Sequence, residues 1–206
     1  MEILKKAIAI LLFISSSFWA VAQNEAAMQK AFSESYKQEA NAKYTDAINE
    51  LAAFNNKDSY EVNLRIGWLY YLNKNYTQAQ TYYHRAVTLK PYAIEAKLGY
   101  IKALAAAESW DKVMQQYNEI LKIDPQNYTA NYWSGVIHYN RKKYETAVKQ
   151  FEKLINLYPF DYDANHLMAW TCLYLGRMND AKTLFNKALL IKPNDASCIE
   201  GLSKIK

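Results

Sequence analysis

Reactive side chains are few and scattered in this 206-residue chain. Its three histidines, His84, His138 and His166, lie too far apart for any two to share a helix turn. They cannot form the i,i+4 ligand pair of a helical metal site. Two cysteines, Cys172 and Cys198, are too few for a disulfide framework. Placed late and early in neighbouring parallel helices, they would be offset by roughly 12 Å along the axis, beyond disulfide reach. Two buried thiols are therefore expected. No GxGxxG, P-loop, HExxH or CxxC pattern occurs. The expectation is no metal, no cofactor and no enzyme. What the chain does carry is contact chemistry: 15% aromatic residues, with 18 Tyr and 5 Trp. Such side chains offer wide amphipathic surfaces at small entropic cost and dominate recognition hot spots.

Something must position those aromatics, and the prolines reveal it. All four, Pro91, Pro125, Pro159 and Pro193, recur at one constant interval. A structural unit of that length repeats and stops at the same point each time. Other columns keep the period. Ala79, Val113, Ala147 and Ala181 stand twelve before each Pro; Tyr83, Tyr117, Phe151 and Phe185 stand eight before. Gly67, Ile101, Gly135 and Ala169 stand twenty-four before. The small residues mark close helix crossings, and the aromatics four later share their face. Proline lacks an N–H and disfavours helix in the residue before it, so it halts the second helix of each unit. Asn127, Asp161 and Asp195 lie two after a proline, where the next helix needs an N-cap acceptor. Ala93 holds that place after Pro91, so its helix should start less crisply. With 51% hydrophobic and 22% charged residues and few glycines, the chain reads as all-α and folded.

These columns resemble the tetratricopeptide repeat, a two-helix unit with small residues at the crossings and a closing proline, whose period matches the proline interval. Asn63–Pro91, Asn131–Pro159 and Asn165–Pro193 fit it well; Lys97–Pro125 departs at Ile101 and Val113. Tyr44–Phe54 reads as a degenerate first repeat, its Ala47 falling slightly less than one period before Ala79. The resemblance implies a solenoid of about five helical hairpins plus a C-terminal capping helix, coiled into a right-handed superhelix. The units fall near 28–59, 60–93, 94–127, 128–161 and 162–195, with the cap at 196–206. Each would contact mainly its neighbours.

In this family the first helix of each pair lines a concave groove. Carried over residue by residue, that face holds Phe32 and Tyr36, then Trp68 and Tyr71, then Lys102. Tyr132, Tyr139 and Asn140 follow, then His166, Trp170 and Tyr174. Relatives that clamp an acidic chaperone C-terminus place Lys, Arg and Asn there; here only Lys102 and Asn140 remain. The face suits an apolar peptide segment of another protein.

The chain opens MEILKKAIAILLFISSSFWAVAQ. Lys5 and Lys6, an apolar run from Ala7, and Ala20-Val21-Ala22 form a secretory signal pattern over residues 1–22. The uncharged stretch is short for a bilayer span, so no membrane span is expected after cleavage. Location in the cell envelope, periplasmic or extracellular, follows. A formal charge of +5 is spread thinly, densest at Arg141-Lys142-Lys143, which argues against nucleic acid. The expected function is a non-catalytic scaffold for a protein or peptide partner. The alternatives are a structural subunit using convex-face or self-association contacts and, less favoured, a carbohydrate binder.

Overall fold

The computed structural model describes residues 23–55 and 57–205; the expected signal segment lies outside them. Among the described residues every regular element is helical. Helix α1 runs over residues 23–40, followed by α2 (Tyr44–Asn49) and a 3-10 turn (Ala52–Phe54). Then come α3 (Tyr60–Leu72), α4 (Tyr76–Leu89), α5 (Ile94–Ala106) and α6 (Trp110–Ile123). They are followed by α7 (Tyr128–Asn140), α8 (Tyr144–Leu157), α9 (Tyr162–Tyr174), α10 (Met178–Ile191) and the short α11 (Ala196–Ser203). The helices thus come as consecutive pairs closed by a last single helix. The chain divides into two compact units between Ala107 and Glu108, and each is described by itself.

The proline period acts as the residue types demand. Lys90, Asp124, Tyr158 and Lys192 each precede a proline, and all four leave the helical region at φ between −127° and −134°. The next helix then starts on its cap. Asn127 accepts from the Ala130 amide at 3.1 Å, Asp161 from Ala164 at 2.7 Å and Asp195 from Cys198 at 3.0 Å. Ala93 provides no side-chain cap, and the first bond of α5, Lys97 N–H to Ala93 C=O, stretches to 3.5 Å.

A second device was not legible as a motif. Asn63, Asn131 and Asn165 are fully buried in the same register. Each amide donates to the carbonyl four residues back, at 2.6, 2.9 and 2.6 Å. Each also reaches the carbonyl six back, that of Lys57, Pro125 or Pro159. The side chain ties the inter-repeat turn to the helix it feeds.

The turns inside each pair share another feature. Ala42, Lys74, Glu108, Lys142 and Gly176 all sit at positive φ, between 55° and 75°. The amides of Asn75, Lys143 and Arg177 reach back to Tyr70, His138 and Cys172 at 2.9 Å, the 6→1 bond of a left-handed helix end. Only Gly176 is the residue that this conformation favours.

In the first unit, Val62, Ile66 and Leu69 of α3 pack on Ala47 and Leu51 and on Tyr82 of α4. The ring of Tyr83 lies between α3 and α5, against Gly67 and Gly99. In the second unit the core joins Ala147, Phe151 and Leu154 of α8 to Met168, Ala169 and Cys172 of α9 and Leu184, Phe185 and Ala188 of α10. Phe151 presses on Gly135 and Phe185 on Gly201. Cys172 and Cys198 are both buried and unpaired.

Candidate functional site

In the first unit, α1, α3 and α5 turn one face to a cavity of about 980 Å³. Phe32 and Tyr36 come from α1, Leu64 and Trp68 from α3, Leu98 and Lys102 from α5. Helical spacing explains the set: 32 and 36, 64 and 68, 98 and 102 are i,i+4 pairs, one stripe on each helix.

Polar contacts hold the aromatic wall in place. Arg65 is buried, its guanidinium 3.8 Å above the Tyr36 ring. Its Nε donates to Ser35 Oγ at 3.3 Å and its Nη1 pairs with Glu39. The other carboxylate oxygen of Glu39 accepts the Trp68 indole N–H at 2.8 Å. Trp68 stacks on Tyr71 with centroids 5.6 Å apart. A planar guanidinium suits a place where one side must stack while the edge donates.

The remaining charges at the cavity are largely matched. Lys90 donates to Glu61 at 3.0 Å and lies 4.2 Å from the Tyr60 ring centroid. Glu61 is held below the ordinary carboxylate range by its own backbone amide, then by Lys90. Tyr60 donates to Glu95 at 2.6 Å, and burial together with that carboxylate raises its pKa well above the usual phenol range. Lys102 lies 5.1 Å from the Trp68 ring centroid, with no ion pair among the described residues. The cavity therefore offers an apolar, aromatic floor, with Lys102 outside any ion pair among the described residues and Glu95 held by a phenol.

The second unit uses its sequence-predicted residues differently. Tyr132 stacks on Tyr128 at 6.0 Å. Tyr139 is half-buried against Tyr144 and Tyr174, at 5.8 and 5.9 Å. Tyr174 is exposed and stacks on Tyr144 at 5.0 Å. Burial, and then the neighbouring Tyr174, push the Tyr139 phenol well above its ordinary range. Asn140 faces a separate, smaller cavity.

Trp170 corrects the sequence reading. It is only 8% exposed, and its indole N–H donates to Ser197 Oγ of α11 at 2.9 Å. The last helix ties it down, so it serves packing and is no free anchor. His166 shares the same serine at 2.8 Å and stacks on Tyr162 at 5.4 Å. Burial lowers its pKa, which keeps the imidazole neutral and able to take the serine proton.

His166, Asp195 and Cys198 form one cluster in which the possible ligand atoms lie within 4.8 Å of one another. The sequence reading, which looked for ligands along one helix, missed this cross-helix trio. Its donors are engaged with neighbours: Asp195 caps α11 and lies 2.9 Å from Lys192 Nζ. Those bonds, Lys192 first, hold its carboxyl far below the usual range. Burial and the adjacent Asp195 push the Cys198 thiol up to about 11. The group acts as a clasp on the last helix.

Comparison with known proteins bears on this geometry. Residues 70–136 match the tetratricopeptide-repeat family, and residues 111–188 match that of subunit 3 of the anaphase-promoting complex, or cyclosome. The chain is a tetratricopeptide-repeat protein. The fold of this repeat protein is similar to that of a tetratricopeptide repeat protein from Parabacteroides merdae, with a TM-score of 0.74 and 18% identity. That match covers 87% of this chain and 72% of the other. The protein MamA is similar at TM-score 0.69 and 18% identity, over 81% and 92% of the two chains. In sequence, the repeat protein is 33% identical over 92 residues to the RNA polymerase-associated protein CTR9 of Caenorhabditis elegans. It is 22% identical over 130 residues to the CTR9 homolog of Arabidopsis thaliana. These matches take in 44% and 63% of this chain but only 8% and 12% of those much longer proteins. The repeat fold points to a scaffold for protein–protein contacts.

Proposed function

We propose that this chain is an exported, non-catalytic docking scaffold of the cell envelope. The cavity of its first unit receives a peptide segment of a protein partner. The observation that carries this reading is the alignment of three helix stripes, Phe32/Tyr36, Leu64/Trp68 and Leu98/Lys102, around one open cavity. Trp68 is oriented before any ligand arrives, because Glu39 holds its indole N–H and Tyr71 its face. Preorganised aromatics bind with little ordering cost. Lys102 beside Trp68 favours a segment that follows its apolar side chains with a carboxylate. Export rests on the Lys5-Lys6 and apolar pattern at the N-terminus.

Affinity capture from envelope extract tests the groove. The comparison is between the parent chain and Tyr36→Ser with Lys102→Glu, two substitutions at accessible side chains. Loss of the captured partner with an unchanged thermal midpoint supports the groove; undiminished capture refutes it. Amino-terminal sequencing of the protein recovered from its native host tests export, with Gln23 the expected first residue.

A second reading rests on the end of the second unit. Leu190 and Ile199, on the last two helices, are 73% and 50% exposed. Such apolar surface favours self-association. Light scattering of the purified protein reads it as a mass above that of the monomer.

A further inference from the structure

A second cavity, of about 320 Å³, lies within the second unit between α6 and α7. At the register where Gly99 and Gly201 let an aromatic ring close in, α7 carries Trp133. Trp133 is left 48% exposed. Trp110, at the start of α6, is equally exposed and lines the same cavity. The floor is Val136 and Ile137, and the rim is Asn140 and Arg141. Arg141 donates to Asp111 at 2.8 Å, which matches its charge. Tyr132 meets Trp133 edge-on at 5.2 Å and holds that indole in place.

We infer that this cavity is a binding site for a neutral saccharide. Three properties select that class. Two indole faces suit the C–H faces of pyranose rings, which are apolar. The rim provides planar hydrogen-bonding groups: the Asn140 amide, which can give and take bonds, and the Arg141 guanidinium, which can give them to vicinal hydroxyls. Arg141, the charged residue that lines the cavity, is already paired with Asp111, so the lining itself holds no unpaired charge that would select an ionic ligand. The volume stands at the low end for small-molecule sites, large enough for one or two sugar rings and too small for a helix. The polar convergence could not be read in the sequence, where Asp111 and Arg141 stand 30 residues apart.

The site is independent of the first-unit groove, and the test keeps them apart. Maltose, cellobiose, lactose and diacetylchitobiose are titrated into the full chain by calorimetry, with ligand contacts read by saturation-transfer NMR. A hexaproline peptide, which also stacks on indoles, is the competing probe. Saturable binding of at least one disaccharide is expected. It should weaken about tenfold or more in Trp133→Ala and in Asn140→Ala, both with parental melting curves. Tyr36→Ser with Lys102→Glu should leave it unchanged. Absence of binding across the four sugars overturns the inference. So does binding that survives Trp133→Ala, or binding of hexaproline alone.

Discussion

The ring of Tyr83 lies so close to Gly99 that a β-carbon on that glycine would overlap its Cε1 and Cζ atoms. Gly67 approaches the same ring less tightly; a β-carbon there would lie 3.1 Å from Cγ. Alanine in a helix interior gains about 1 kcal/mol over glycine, and overpacking costs about 1–3 kcal/mol. Gly99→Ala is therefore expected to lose up to about 2 kcal/mol net, and Gly67→Ala to stay within about 0.5 kcal/mol of the parent. Denaturant melts of both, with Gly99→Ala repeated in a Tyr83→Leu background, check this. The penalty should shrink when the ring is gone.

The positive-φ column predicts an opposite pair of effects. Lys142 holds φ 57° and Gly176 φ 75°, with nothing within 4 Å of a β-carbon at the latter. Backbone conformation alone decides both. Lys142→Gly is expected to stabilise by about 0.5–1 kcal/mol and Gly176→Ala to destabilise by about 1 kcal/mol. Equal melting points for Gly176→Ala and the parent would contradict the assignment.

Acid should weaken the second unit before its carboxylates titrate. Burial lowers the pKa of His138, with Lys143 and Arg141 adding repulsion, and burial also lowers that of His166. For His166, Asp195 and Asp163 oppose the shift and Lys192 adds to it. The unfolded chain takes up these protons near pH 6.5, while the folded chain resists them. Stability is thus fully present above that pH and falls as pH drops through the lowered folded values. His138→Leu, which adopts the residue type of Leu104 in the same column, should flatten this slope. Thermal melts across a pH series read it directly.

The two thiols should be silent in the native state. Cys172 and Cys198 are fully buried, and burial raises both above the ordinary thiol range. Thiolate is the reactive form. A disulfide-exchange reagent should modify neither residue until denaturant is added, and then both. Rapid native labelling would show that α11 opens.

The architecture was legible because it is local and repeated. Proline, the crossing residues Ala79, Ala147 and Ala181, and the aromatics Tyr83, Phe151 and Phe185 answer to backbone stereochemistry and to one adjacent helix. Their demands recur once in every unit and so leave a period in the sequence. The left-handed turn column was hidden, since Lys74, Glu108 and Lys142 carry no glycine signal although their backbone matches Gly176. The buried asparagines were hidden as well, because a side chain that clamps a turn looks in sequence like any polar residue.

Residue order was enough to dictate that helices pair, where each stops, and that aromatic residues line their first members. Packing between helices then selected which aromatics remain open to a partner. Trp68 stays at a cavity because Glu39, 29 residues earlier, holds its edge, while Trp170 is withdrawn because Ser197, 27 residues later, reaches over it. Exposure is a property of the neighbouring helix, not of the residue. A pattern that gives Trp68 and Trp170 the same register cannot say which of them the next helix will cover.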